Sequence, residues 1–158
     1  MRRVPFVHGS LLALALTAAA GPGAADGWKT TCTAERRCTA LLVVADTATK
    51  RILASIGLQV GAGGSDPVMI AFLPLGIALT PGFRAVIGDK AFDAAYEVCY
   101  PDGCRATAPV AAGDLNLWLD GETVSLRFFP YGAEKPVAAD TPLAGLRESL
   151  GDILNPPN

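Results

Sequence analysis

Histidine is nearly missing from this chain. The 158 residues contain one, His8, close to the N-terminus. Histidine is the side chain that titrates near neutrality and the commonest transition-metal ligand. Without it in the body of the chain, Ser-His-Asp and Cys-His catalysis are excluded there. Positive charge is not in excess either: 13 Lys and Arg stand against 15 Asp and Glu, a net charge of −2. A balance of that sign leaves no electrostatic footprint for nucleic acid. No apolar run reaches the roughly 20 residues that span a bilayer. No run of acids has the spacing of a calcium loop. Gly61, Gly63 and Gly64 are not followed by the Gly-Lys-Ser/Thr of a phosphate loop.

What is present begins with Arg2 and Arg3, continues with an apolar stretch from Leu11 to Ala20, and closes with small residues through Ala25. A basic start, a short apolar run and a small-residue end form the pattern of a cleaved signal peptide, expected over 1–25. Cleavage after Ala20 and after Ala25 both fit. Ala25 is favoured because Pro22 breaks the apolar helix just upstream. No cysteine lies near either position, so a lipid anchor is not expected. Cleavage removes His8, Arg2 and Arg3 but no acid, leaving 11 basic and 15 acidic residues, a net charge of −4. Residues 26–158 are of a size to bury one core as a single domain. The expectation is an exported protein, periplasmic or secreted and surface-associated, with no transmembrane segment after cleavage.

The four cysteines are Cys32, Cys38, Cys99 and Cys104. An even number in an oxidising compartment points to disulfides. Four cysteines allow three connectivities, and sequence does not by itself choose among them. Local geometry favours Cys32–Cys38 and Cys99–Cys104. Pro101, Asp102 and Gly103 are strong turn residues, so Cys99 and Cys104 should face each other across a hairpin neck with Cα atoms about 5.5 Å apart. Thr33 to Arg37 form a similar polar turn between the first pair. Loops this short contribute about 2 kcal/mol each, so they set turn shape more than they hold the fold. The spacings C-x5-C and C-x4-C differ from the C-x2-C of zinc ribbons and of thioredoxin-like redox sites.

Short apolar runs between turn signals dominate from Trp28 to Val137. Strands are expected over 28–32, 38–45, 51–60, 68–72, 83–87, 105–110 and 122–129, with a partner for the last starting near Pro136. Residues 61–67 read as a flexible loop. Residues 91–100 fit both periods, but the hairpin turn that follows favours one strand. Residues 114–121 fit a short helix closed by Gly121 better than a strand. At the end, Thr141 suits an N-cap and Pro142 the first helical position, with Leu143, Leu146, Leu150 and Ile153 or Leu154 on one stripe. The fold class expected is mostly β: an antiparallel β-sandwich or partly open barrel with a packed C-terminal helix.

Candidate chemistry is sparse. Asp93 and Glu97 share a face if 91–100 is one strand, but at about 13 Å they are too far apart to work as a pair. The Asp120–Glu122 and Gly88–Lys90 segments read as turns. Ser55, Ser65, Ser125 and Ser149 leave Ser-Lys catalysis open without any motif for it. Trp28, Trp118, Phe128 and Phe129 read as core rather than as a ligand platform.

One constellation is more specific. Trp28 precedes Cys32 by four residues and Cys38 follows. Then come the run from Phe72 to Leu79, Pro81 and Gly82, Tyr96 to Cys99, Asp102 to Ala106, Val124 to Phe128, Lys135 to Val137, and Gly145–Leu146. In this order and spacing the chain resembles the invasion-associated locus B family over nearly all of 26–158. The resemblance implies a small exported bacterial envelope protein, periplasmic or surface-associated. Its partner would be a protein in the envelope or on a host cell, and its role a binding one, in host-cell invasion or envelope stress. It brings no catalytic residue, no cofactor and no metal. A non-enzymatic binding protein is therefore expected. The alternatives are a periplasmic hydrolase using carboxylates or a Ser-Lys pair, and a thiol-redox protein.

Overall fold

The computed structural model describes residues 27–155. The expected signal segment 1–25, with His8, lies outside them, as do residues 156–158. Among the described residues ten strands form two antiparallel sheets. The first has six strands in the order β1 (Lys29–Cys32), β2 (Cys38–Ala45), β3 (Ile52–Val60), β4 (Val68–Leu73), β8 (Gly103–Pro109), β7 (Tyr96–Tyr100). The second has four, in the order β10 (Val137–Pro142), β9 (Thr123–Phe128), β5 (Phe83–Ile87), β6 (Lys90–Ala94). The sheets face each other as a sandwich and do not join into a barrel.

Strand alternation dictates the core. Ala40, Leu42 and Val44 of β2, Ala54, Ile56 and Leu58 of β3, and Met69, Ala71 and Leu73 of β4 point inward and are buried. They meet Phe83, Ala85 and Ile87 of β5 and Val124, Leu126 and Phe128 of β9. Period-2 burial of this kind is what a half-buried sheet requires. Gly88 at φ +56 opens the two-residue turn between β5 and β6, the place glycine takes in a type II′ hairpin.

The 91–100 segment is not one strand. It breaks at Ala95, so that β6 belongs to the second sheet and β7 to the first. A register shift between Tyr96 and Val98 then turns Tyr96 inward while Val98 pairs with Arg105. Chains that pass between packed sheets commonly do so at a bend or bulge.

The C-terminal helix also differs from expectation. Thr141 and Pro142 are neither N-cap nor first turn; they end β10, opposite Val124 and Thr123. Pairing along the whole length of β9 outweighs the local capping signal. The helix starts after Gly145, at φ +89, and is split into α2 (Leu146–Ser149) and α3 (Gly151–Leu154). The expected stripe of Leu143, Leu146, Leu150 and Ile153 is buried. Residues 114–121 contain the short helix α1 (Leu115–Asp120), which buries Trp118 and Leu119. The 61–67 loop is pinned rather than loose. Gly61 N–H donates to the Ser65 carbonyl at 2.7 Å, and Gly64 is buried beside Leu115 and Leu154.

Candidate docking site

The two cysteine pairs lie directly opposite each other in their hairpins. Cys32 and Cys38 are bonded, with Cα atoms 4.0 Å apart, and so are Cys99 and Cys104, at 3.9 Å. These distances are shorter than the 5.5 Å expected and lie nearer the spacing of a non-hydrogen-bonded antiparallel pair. Among the described residues no cysteine is free. In each pair one residue is exposed (Cys32, Cys99) and the other buried (Cys38 and Cys104, at 3% and 2%). A thiolate attacking the exposed partner would have to expel a thiolate into the core, which burial disfavours.

The acids proposed as chemistry are held in ion pairs. Asp93 accepts from Arg84 Nε at 2.6 Å and Nη2 at 3.1 Å, and this hydrogen bond and charge raise the Arg84 guanidinium pKa further. Glu97 lies in the other sheet, paired with Arg105 at 3.2 Å and accepting from Thr107 Oγ1. The break at Ala95 separates the two carboxylates more thoroughly than distance along one strand. Asp46 accepts from Thr49 N–H at 2.7 Å, Thr49 Oγ1 at 2.8 Å and Ala48 N–H at 3.1 Å. Those bonds hold its carboxyl below the usual range and lock the 46–50 turn. Burial alone pushes the Tyr96 phenol up to about 12. Ser149 Oγ donates to the Leu146 carbonyl, and Lys90 sits on Asp114 at 2.8 Å. Among the described residues no serine hydroxyl bonds to a lysine, and no group of three His, Cys, Asp or Glu gathers as for a metal.

The aromatic residues divide. Trp118 is fully buried, with its ring 5.4 Å from that of Phe92, and Phe128 is also core. Trp28 and Phe129 are half-buried. Four of the large apolar residues that reach solvent line adjoining grooves at one end of the sandwich, beside the 72–82 segment where an exposed apolar patch is expected of a binding protein; Leu117 lines a different groove. Ile52 is 59% exposed, Leu75 56%, Tyr100 48% and Phe72 38%.

These residues are brought together by the 74–82 crossing between the sheets and by the β7–β8 hairpin. Ile77 anchors the crossing in the core. Ala78 N–H donates to the Phe129 carbonyl and Tyr131 N–H to the Gly76 carbonyl, both at 2.8 Å. The anchored backbone therefore presents Leu75 outward. On the other side, Leu73 pairs with Cys104, and Gly103 abuts it. A Cβ on Gly103 would sit 2.4 Å from the Leu73 carbonyl oxygen, and the residue has φ +152. Glycine is the residue that admits both the close approach and that backbone angle.

Two adjoining grooves result. One, of about 340 Å³, is lined by Ile52, Phe72, Pro74, Tyr100 and Asp102 among others. The second, of about 430 Å³, is lined by Arg51, Ile52, Pro74, Leu75 and Ile77 among others. Ile52 and Pro74 belong to both, so the two form one strip. A larger open groove of about 820 Å³ lies elsewhere, between the β5–β6 turn and α1. Four charged residues, Asp89, Lys90, Asp120 and Glu122, share its lining with Ile87 and Leu117, and Asp120 is bound by Arg147 at 2.9 Å. The strip is the better candidate because four exposed large apolar side chains gather there, against Leu117 alone in the larger groove, and clustered exposed apolar area is what a monomer surface normally avoids.

Among the described residues no helix is long and apolar enough to cross a membrane. The family described as "Invasion associated locus B (IalB) protein" matches residues 28–153. The crystal structure of invasion associated protein b from Bartonella henselae is similar at a TM-score of 0.67 and 16% identity, over 81% of this chain and 92% of that one. At that identity the likeness shows a shared fold. No curated protein matches the chain.

Proposed function

Because the chain belongs to the invasion associated locus B family, we propose that it is an exported, non-enzymatic protein of the bacterial envelope or cell surface that acts by docking another protein chain. The observation that carries this is the apolar strip around Pro74. It is built where two stretches that carry the family resemblance meet, Phe72 to Gly82 and Cys99 to Ala106. Apolar residues exposed on an anchored backbone suit binding, since little ordering entropy is lost on contact. The ionisable groups with shifted pKa values support the same reading. Asp46 and Glu35 are lowered by hydrogen bonds within their own turns, Arg84 serves a surface ion pair, and Tyr96 is shifted by burial alone.

Export is tested by fractionating cells that make the full chain. The expected product is periplasmic or extracellular, begins at Asp26 and carries two linked cysteine pairs. An intact N-terminus on a cytoplasmic product would contradict the reading.

A further inference from the structure

We propose that the strip is a self-complementary interface whose occupant is a second copy of this chain. The proposal rests on the docking reading above and names its partner. One end of the strip carries Arg51, a cation unpaired among the described residues, in the groove lining. Asp46 lines the same groove as an anion, and its charge is met by the neighbouring Lys50. The opposite end is negative: Asp102 lines the other groove beside Tyr100. Glu97 and Arg105 of the neighbouring strands satisfy each other. Neither Arg51 nor Asp102 makes a salt bridge among the described residues. Between the two ends lie Leu75, Ile52 and Phe72.

A strip that is positive at one end, apolar in the middle and negative at the other is complementary to itself after a half-turn. A two-fold axis through the shared Ile52–Pro74 region sets Arg51 against Asp102 of the partner subunit, and the same contact recurs by symmetry. The apolar middle supplies affinity and the charged ends fix orientation. A different protein would need to present this pattern in reverse. A second copy presents it by construction.

Sedimentation equilibrium of the mature protein tests this. Dimers are expected, weakening as salt screens the ends. Arg51→Glu and Asp102→Lys should each weaken the dimer at least tenfold while leaving the unfolding midpoint unchanged at dilutions where wild type and variants are all monomeric, since both positions are exposed. Each variant places two like-charge contacts in its homodimer. Mixing the two variants should restore association, because the mixed dimer pairs Glu with Lys at one contact and Arg with Asp at the other. A monomer up to the solubility limit overturns the proposal. So does a dimer indifferent to both single variants, or a mixture no tighter than its components. A monomer that still crosslinks through position 75 to a different protein in cells would remove the second copy as partner but leave the docking reading standing.

Discussion

Gly103→Ala should destabilise the domain by about 3 kcal/mol, adding backbone strain of roughly 1–3 kcal/mol to overpacking of similar size. The first contribution comes from φ +152, an angle that L side chains rarely adopt. The second comes from the methyl group itself, whose carbon would lie 2.4 Å from the Leu73 carbonyl oxygen. Neither partner is a flexible side-chain tip. Relief requires β4 and β8 to move apart where Leu73 pairs with Cys104, and the Cys99–Cys104 link restrains the hairpin that would have to move. Urea unfolding measures the effect. Gly113→Ala is the control, because Gly113 has nothing within 4 Å and no positive φ. It should change stability by less than about 0.5 kcal/mol. Equal midpoints for the two variants would mean that the contact between Gly103 and Leu73 is not as described.

Trp118→Ala should cost about 3–5 kcal/mol, the range for removing a large aromatic from a core. The indole is fully buried, packs against Phe92 and belongs to a helix of six residues, too short to persist without tertiary contacts. Trp118→Phe keeps an aromatic ring against Phe92 and should cost less than half as much. It removes an N–H that has no hydrogen-bond partner in the structure, so no acceptor is left stranded. Far-UV circular dichroism is the readout, since the substitution removes one of the two tryptophans. A small loss in Trp118→Ala would show that α1 is peripheral to the core.

Much of the fold is legible in local pattern. The expected strands 38–45 and 83–87 match β2 and β5, because alternation with one face buried is what those strands do. The 91–100 stretch shows where pattern stops. Phe92, Ala94, Tyr96, Val98 and Tyr100 alternate without a break, yet the chain changes sheet at Ala95 and shifts register before Val98. Apolar residues outside the core leave the letters unchanged, so alternation carried no sign of the bulge. Thr141–Pro142 is the converse case. A sound capping signature lost to pairing with β9, a partner that local sequence does not reveal.

The candidate site was half legible. The Phe72–Gly82 run and the Cys99–Cys104 turn stood out as residues. That Leu75 is exposed while Ile77 is buried depends on hydrogen bonds from 76 and 78 to the 129–131 segment, some fifty residues away along the chain. Ile52 joins the strip from a third stretch. Its letter reads as core, and only the end of β3 at the edge of the sandwich puts it in solvent.

The most direct test of the docking claim is a photo-crosslinking amino acid placed at position 75 of the full chain in living cells, with position 89 in the polar groove as reference. The account predicts a discrete protein adduct from position 75, lost when Ile52→Asp and Tyr100→Asp are introduced together, and none from position 89. Adducts of equal yield from both positions, or none from position 75 in a correctly exported protein, would contradict it.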